Sequence, residues 1–335
     1  MKVKFFYANG TSWAINWLEV GLRVDQTNGQ IYWNSSMQPE EAFSATVAGV
    51  DGRTAQWGGQ PHNDPFPTML DPDRFEAERV IYPASAFPMN ASLDYGIQQV
   101  IDGINALPAG KPFMLGGYSQ GAALMSTVYN EIRYGTLTSR QSTFLGAVMF
   151  GNPRRQGGHV GSIAGTWDGA WDVPGSTTGG HGCFPTSGPY ARLANCESKW
   201  QEFVYPGDIF SSTGDSTTGA NWTLAADTFS SLDVADLITY VATGAAPAIL
   251  AAIEAAFAEG GNTLPMTDAN GTDIYMSGSG HVAYPWLPPY GLTGDTCFQA
   301  AIRYCHSLAD EWATAPILLP PATAGWSTTL VPPTV

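Results

Sequence analysis

Short apolar runs recur along the chain and alternate with segments whose apolar residues follow helical spacing. Most of the runs end at glycine, proline or asparagine, which are turn signals. The five predicted strands are Val3–Ala8, Arg79–Tyr82, Pro112–Gly117, Phe144–Phe150 and Glu202–Tyr205. Runs without polar alternation, such as FLGAVMF at Phe144–Phe150, are typical of parallel strands that are covered on both faces.

Helical spacing of apolar residues predicts the elements between these strands. One helix is predicted over Ser92–Leu107, a second over residues 120–134, and a last one over Cys297–Trp312. Strands that alternate with helices in this way favour an α/β fold with a central parallel sheet. We therefore predict a single domain over residues 1–335.

Three segments do not follow this alternation. Residues 12–78 are polar and rich in tryptophan, glycine and proline, and are predicted to form an irregular insertion. Residues 209–276 are predicted to form a helical insertion that covers the site as a lid, with helices at Phe229–Val241 and Ala248–Ala258. Residues 316–335 are proline-rich and predicted to be extended.

Charge and hydropathy exclude several classes of partner. Lys and Arg total 14 against 29 Asp and Glu, which gives a net charge of −15. Binding to nucleic acid or to an anionic lipid surface needs clustered cations, so neither is expected. No apolar run reaches the roughly 20 residues of a membrane span, and the first ten residues lack the long apolar core of a signal peptide. We therefore expect synthesis in a cytoplasm without a secretion signal.

The four cysteines leave their oxidation state open. No C-x-x-C pair is present, which argues against a structural zinc site. Local pairs Cys183–Cys196 and Cys297–Cys305 are possible, and four reduced thiols are equally compatible with the sequence.

The motif Gly117–Gly121 (GYSQG) carries the clearest chemical signal. It follows a predicted strand and begins a predicted helix, which is the setting of a nucleophilic serine on a strained turn. Glycines on both sides remove Cβ atoms that would collide in such a turn. We therefore predict Ser119 as a nucleophile; the alternative is an ordinary glycine-rich turn with a capping serine.

A serine hydroxyl needs a base, and in this architecture the partners follow in the order serine, acid, histidine. His62 precedes Ser119, His159 and His181 come too early to leave room for the acid, and His306 lies inside the last predicted helix. His281 lies in a glycine-rich loop before that helix. We predict His281 as the base; a solvated loop histidine is the alternative.

The acid is expected after a strand between Ser119 and His281. Asp208 follows the strand Glu202–Tyr205 and the turn residues Pro206 and Gly207. It would orient the imidazole and stabilise the imidazolium, although it could instead only cap a turn. The rival acids lie in loops with no strand before them; they are Asp168, Asp172 and Asp215.

An oxyanion hole requires two positioned N–H donors. One is predicted to be the backbone N–H of Gln120, directly after the nucleophile. The second is predicted in the loop after the first strand, where Thr11 could offer its N–H and its hydroxyl. Because serine, histidine and acid supply the base and the hole supplies the electrophile, no metal or cofactor is expected.

These motifs resemble those of a known family. Gly117–Gly121 matches the G-Y-S-Q-G elbow of the cutinase superfamily, and Phe150–Gly157 (FGNPRRQG) resembles the G-N-P-x-R-Q segment of the lysin B enzymes of actinobacterial phages. Gly207–Ile209 and Gly280–Pro285 are similar to that family's acid and histidine segments. The resemblance implies a cutinase-like α/β-hydrolase, a three-layer sandwich around a parallel sheet with a helical insertion.

The resemblance also implies a function. Lysin B enzymes hydrolyse the ester between mycolic acids and arabinogalactan, so the expected partner is a lipid ester of the mycobacterial envelope, reached after holin-mediated release or from the virion. A cutinase-like lipase that acts on free lipids or polyesters is an alternative. A phage tail component that binds the envelope with an idle hydrolase fold, attached to the virion, is another.

Overall fold

The computed structural model describes a central sheet and helices on both of its faces. The described residues are 1–10, 22–24, 31–33, 56–57, 60–61, 66–82, 84, 89–165, 168–173, 179–205, 207–231, 266–267, 273–274, 281, 284 and 288–314.

Strands and helices alternate along most of the described chain. The strands are β1 Val3–Ala8, β2 Leu22–Val24, β3 Ile31–Trp33, β4 Gln56–Trp57, β5 Gln60–Pro61, β6 Phe75–Arg79, β7 Phe113–Tyr118, β8 Phe144–Phe150, β9 Trp200–Phe203, β10 Met266–Thr267 and β11 Asp273–Ile274. The helices are α1 Phe66–Met69, α2 Met89–Ala106, α3 Gln120–Tyr134, α4 Thr217–Ser231 and α5 Cys297–Thr314, with a 3₁₀ helix at Thr138–Thr143.

The main sheet has five parallel strands in the order β6-β1-β7-β8-β9. The chain passes from β1 outward to β6 and then returns to form β7 on the other side of β1. The connections after β1 and β7 therefore diverge, and a crevice forms between the carboxyl ends of these two strands. The three other pairs, β2-β3, β4-β5 and β10-β11, are two-stranded and antiparallel.

Alternate side chains of the strands supply two separate cores. Phe6 and Ala8 of β1 point to the face that α2 and α3 cover, whereas Phe5 and Tyr7 point to the face that α1 and α5 cover. Since both faces are covered, continuous apolar strands are required, as FLGAVMF in β8 illustrates. The predicted three-layer α/β fold with a central parallel sheet is thus confirmed.

The second strand was predicted at Arg79–Tyr82, and this prediction is wrong. The strand is β6, Phe75–Arg79, with the sequence FEAER. It lies at the edge of the sheet and carries two exposed glutamates. Glu76 Oε1 lies 3.0 Å from Lys111 Nζ, and Glu78 Oε2 lies 2.5 Å from Lys4 Nζ. Charges on an edge strand oppose pairing with other chains, and they also hide the strand from a search for apolar runs.

Other boundaries differ by a few residues. Helix α2 begins at Met89 instead of Ser92, whose side chain is buried in the first turns. Strand β9 begins and ends two residues before the predicted Glu202–Tyr205. Helices α3 and α5 begin where predicted, at residue 120 and at Cys297.

The insertions are described only in part. Residues 66–78, at the end of the first predicted insertion, contain α1 and most of β6. Helix α4 lies within the second, and only its last residues overlap the predicted helix Phe229–Val241. The rest of that helix, the predicted helix Ala248–Ala258 and the tail 316–335 lie outside the described residues.

Two further observations concern the whole described structure. All four cysteines are described as free thiols, and neither the pair Cys183–Cys196 nor the pair Cys297–Cys305 is joined in this structure. Within the ranges given above, no helix combines the length and apolar character that a membrane crossing would need.

A buried polar cluster links β8, β9 and α3. The side-chain amide of Asn152 donates to Ser126 Oγ (3.0 Å) and to Glu202 Oε1 (2.9 Å), and Trp200 Nε1 donates to the same Oε1 (2.6 Å). Glu202 is fully buried, and its Oε2 has no hydrogen-bond partner among the described residues. Burial raises the pKa of Glu202 from 4.5 to about 7, against the two hydrogen bonds and the charge of Arg155.

We predict that ionisation of Glu202 destabilises the folded protein. Because the pKa is higher in the folded state, the unfolded state releases this proton first, and stability falls as pH rises from about 4.5 to about 7. A shift of this size corresponds to roughly 3 kcal/mol. The variant Glu202→Gln has no carboxyl group at this position and should not lose stability in this way as the pH rises. The difference in free energy of unfolding, variant minus wild type, should therefore increase between pH 5 and pH 8 by up to roughly 3 kcal/mol.

Urea unfolding at the two pH values measures this difference, and the exposed Glu311→Gln is the matched control. An equal pH dependence of wild type and Glu202→Gln would contradict the prediction.

Candidate active site

Ser119 forms the whole turn between β7, which ends at Tyr118, and α3, which begins at Gln120. Its backbone has φ 55° and ψ −121°, an unusual conformation for a residue with a Cβ atom. The amide of Ser119 donates to the carbonyl of Phe150 at the end of β8 (2.9 Å), which fixes the turn against the sheet. Such strain in a single residue is typical of a functional position.

Close backbone contacts explain the two glycines of the motif. A Cβ on Gly117 would lie 2.8 Å from the Cα of Ala122, and one on Gly121 would lie 2.0 Å from the carbonyl oxygen of Ala8. The end of β1 therefore packs directly on the start of α3. Gly10, two residues after β1, packs against the nucleophile itself, because a Cβ there would lie 3.0 Å from Ser119 Cβ.

The structure brings Ser119, His281 and Asp208 into one hydrogen-bonded chain. His281 Nε2 lies 2.8 Å from Ser119 Oγ, and His281 Nδ1 lies 2.9 Å from Asp208 Oδ1. With an ionised Asp208, Nδ1 carries the proton and Nε2 is left to accept the proton of the serine hydroxyl. Ser119 is partly exposed and Asp208 is fully buried, so the series of hydrogen-bonded side chains extends from the surface to the interior.

Asp208 is held by hydrogen bonds on both carboxylate oxygens. Oδ1 accepts from the amides of Phe210 (2.9 Å) and Ser211 (3.3 Å), and Oδ2 accepts from the hydroxyls of Ser211 (2.7 Å) and Tyr284. Burial opposes ionisation, but the charge and hydrogen bond of His281, with those from Tyr284 and Ser211, hold the pKa of Asp208 below its ordinary value. Asp208 thus caps a turn and also faces the imidazole, which combines the two sequence-based alternatives.

The His281 ring packs against two aromatic side chains. Its centroid is 5.1 Å from that of Tyr118 and 4.5 Å from that of Phe210. Tyr118 also donates its hydroxyl to the backbone carbonyl of His281 (3.0 Å). The residue before the nucleophile therefore positions the segment that carries the imidazole.

Gly151, directly after β8, leaves the space that the imidazole occupies. It has φ +59°, and a Cβ there would lie 2.7 Å from His281 Cε1 and Nδ1 and 3.1 Å from Asp208 Oδ2. The first residues of the Gly-Asn-Pro segment therefore shape the pocket of the histidine and the acid. This role was not predicted from the sequence, where the segment served only as a family signature.

The two predicted oxyanion donors have different outcomes. Gln120 is the first residue of α3, so its amide belongs to the first turn of a helix, where the dipole favours a negative charge. Thr11 lies outside the described residues. Of the described residues just before it, Gly10 lies against Ser119 and Asn9 lies beside Gly121, on the β1 side of the crevice.

The rival histidines bond to other groups. His159 Nε2 lies 2.8 Å from a backbone carbonyl of β9, and His306 Nε2 lies 3.3 Å from a backbone amide near β6. His181 lies 2.8 Å from the carbonyl of Gly182 and 3.0 Å from Asp215. His62 lies outside the described residues.

The rival acids also lie elsewhere. Asp215 pairs with His181, and Asp172 accepts from the amide of Gly214 (2.7 Å) and the hydroxyl of Ser216. Asp168 contributes its backbone carbonyl to a loop contact (2.8 Å). Among the described residues, no group of three or more His, Cys, Asp and Glu side chains could hold a metal ion.

Comparison with known proteins gave matches only among solved structures. No protein-family model matches the sequence, and no curated protein matches it. Lysin B from Mycobacteriophage D29 is similar over 91% of this chain and 100% of its own, with 17% identity and a TM-score of 0.49. A cutinase-like protein from Cryptococcus sp. has 18% identity and a TM-score of 0.36, over 68% of this chain and 92% of its own. An acetylxylan esterase has 18% identity and a TM-score of 0.33, over 68% and 95%.

We predict that Gly151→Ala disables Ser119 without unfolding the protein. The new methyl group would displace the imidazole, and a displacement of about 1 Å costs about 100-fold in rate. The rate at which a fluorophosphonate probe labels Ser119 measures this loss.

Gly158→Ala is the matched control, because Gly158 has φ +71° and a Cβ there would meet no atom within 4 Å. It carries the same backbone strain without the contact. Equal labelling rates in the two variants would contradict the steric role of Gly151.

Proposed function

We propose that this protein is a serine esterase in which Ser119 is the nucleophile, His281 the general base and Asp208 the acid that orients it. The observation that carries the proposal is the hydrogen-bonded chain from Asp208 through His281 to a serine on a strained strand-to-helix turn. A serine that only capped a helix would require neither the positive φ nor the imidazole.

The geometry supports a two-step acyl transfer. His281 Nε2 takes the hydroxyl proton as Ser119 Oγ attacks the ester carbonyl, and the amide of Gln120 stabilises the resulting oxyanion. The imidazolium then protonates the departing alcohol, which leaves an acyl-serine. Water attacks the acyl-serine with His281 again as base, and the carboxylic acid is released.

Asp208 contributes by remaining ionised beside the imidazole. The group is fully buried, yet its hydrogen bonds and the nearby imidazole lower its pKa. An ionised partner at 2.9 Å fixes the tautomer of His281 and stabilises the positive charge that forms during the attack.

For the substrate, we propose the ester between mycolic acids and arabinogalactan. The support is the resemblance of four segments to lysin B: the elbow, the Gly-Asn-Pro segment, and the acid and histidine segments. The same proposal places the enzyme at the bacterial envelope, after holin-mediated release or as a virion component. The scarcity of cations, 14 against 29 acidic residues, is consistent with an uncharged ester as substrate.

We predict that the wild type hydrolyses p-nitrophenyl butyrate and that Ser119→Ala loses about 10³-fold or more in kcat/KM. The reason is that the variant lacks the attacking oxygen while the pocket remains. The release of p-nitrophenol measures the rate, and the exposed Ser307→Ala should match the wild type. A folded wild type without turnover would favour the idle, envelope-binding alternative.

The substrate class is tested with purified mycolyl-arabinogalactan and, in parallel, an emulsified triglyceride. We expect free mycolic acid to appear with the first substrate, in a Ser119-dependent manner, and little fatty acid with the second. Preference for the triglyceride would instead indicate a cutinase-like lipase.

A further inference from the structure

The carboxylate oxygen of Asp208 that faces away from His281 has two hydroxyl donors. Tyr284 donates to Oδ2 from a fully buried position, and Ser211 Oγ donates to the same atom at 2.7 Å. The triad chemistry requires only the contact between Oδ1 and the imidazole. Two buried hydroxyls on the opposite oxygen therefore call for a separate explanation.

We propose that Tyr284 and Ser211 are positioning residues that fix the rotation of the Asp208 carboxylate and draw part of its negative charge away from the side that faces His281. This inference rests on the proposed esterase function and deepens it. With Oδ2 held from two directions, the carboxylate keeps Oδ1 at hydrogen-bond distance from the imidazole.

Tyr284 also connects the acid to the segment that carries the base. It lies three residues after His281, so a single segment supplies the imidazole and a donor to its carboxylate partner. The segment has a second anchor, because Tyr118 donates to the His281 carbonyl (3.0 Å). The base is thereby fixed relative to both the nucleophile and the acid.

The Tyr284 ring has little freedom to move. Its centroid lies 5.2 Å from that of Tyr205, 5.9 Å from that of Phe150 and 6.3 Å from that of Tyr118. A phenol packed in this way directs its hydroxyl to one place, which is the property that a positioning group needs.

Ser211 is fixed from the other side. Arg155 Nε donates to the backbone carbonyl of Ser211, and the same guanidinium donates to the carbonyl of His159 (3.0 Å). Among the other described titratable groups, Arg155 and Cys183 also interact electrostatically with Asp208, and both are buried; Arg155 is a cation, whereas burial and the nearby Asp208 raise the pKa of the Cys183 thiol and keep it neutral. Neither Arg155 nor Cys183 is altered by the substitutions below.

The test uses Tyr284→Phe and Ser211→Ala in the full-length protein. The pH dependence of kcat/KM for p-nitrophenyl butyrate and of fluorophosphonate labelling is measured for each. We expect the rate near neutral pH to fall about 10- to 100-fold, the loss typical when a hydrogen-bond partner that orients a metal-ligating side chain is removed. We also expect the acidic limb of both profiles to move up by roughly 0.5 pH unit or more, because a carboxylate with fewer donors attracts the imidazolium more strongly.

Two matched controls remove buried hydroxyls that do not contact the carboxylate. Tyr205→Phe loses the hydrogen bond to the Pro288 carbonyl, and Thr213→Val loses the one to the Ile209 carbonyl (2.8 Å). Both can lower the melting temperature, but neither should move the acidic limb. If Tyr284→Phe fails to fold, Ser211→Ala alone decides the matter.

The outcomes separate this inference from the function on which it rests. An active wild type whose acidic limb is unchanged in both variants, or moves equally in Tyr205→Phe, would overturn the positioning role and leave the esterase proposal intact. A folded wild type that neither turns over the ester nor reacts with the probe would overturn both.

Discussion

The arrangement of the site depends on keeping one fully buried carboxylate ionised. Asp208 is removed from water, which opposes charge, and its ionisation is maintained by five hydrogen bonds: two from backbone amides, two from hydroxyls and one from His281. These donors come from the turn after β9 and from the segment at residues 281–284. Neither segment alone supplies all five hydrogen bonds to the carboxylate. The ionised form of Asp208 is therefore stabilised only where the two segments meet.

The sheet determines where that meeting occurs. In a parallel sheet the carboxyl ends of all strands lie at one edge, so the residues that follow β1, β7, β8 and β9 are brought together. Ser119 follows β7, Gly151 follows β8, and Asp208 follows β9. Each of the three residues follows a different strand of the sheet. The imidazole of His281 nevertheless lies within about 3 Å of both Ser119 Oγ and Asp208 Oδ1.

The parts of this site that the sequence reveals are those with a local cause. The glycines around Ser119 reflect steric contacts at the turn, and an apolar strand reflects cover on both faces of the sheet. Both can therefore be recognised from a few consecutive residues of the sequence. Strand β6 could not be recognised in this way, because at the edge of the sheet it carries exposed glutamates. Tyr284 was missed for a different reason: its contact with Asp208 spans 76 residues, and no local pattern distinguishes that tyrosine from one in a core. Ser211 lies only three residues after Asp208, but a serine in a turn gives no sign in the sequence that its hydroxyl donates to that carboxylate.

Two buried carboxyls in this fold show how their surroundings separate their roles. Asp208 and Glu202 are both fully buried, yet the pKa of Asp208 is lowered and that of Glu202 is raised to about 7. Glu202 accepts two hydrogen bonds on one oxygen, whereas Asp208 accepts on both oxygens and faces an imidazole. Burial alone therefore favours a neutral acid, and the facing imidazole together with donors on both oxygens reverses this preference at Asp208. A carboxyl that is half neutral near pH 7 could not reliably balance an imidazolium, so the donors around Asp208 are what make it, and not Glu202, suitable as the partner of a catalytic base.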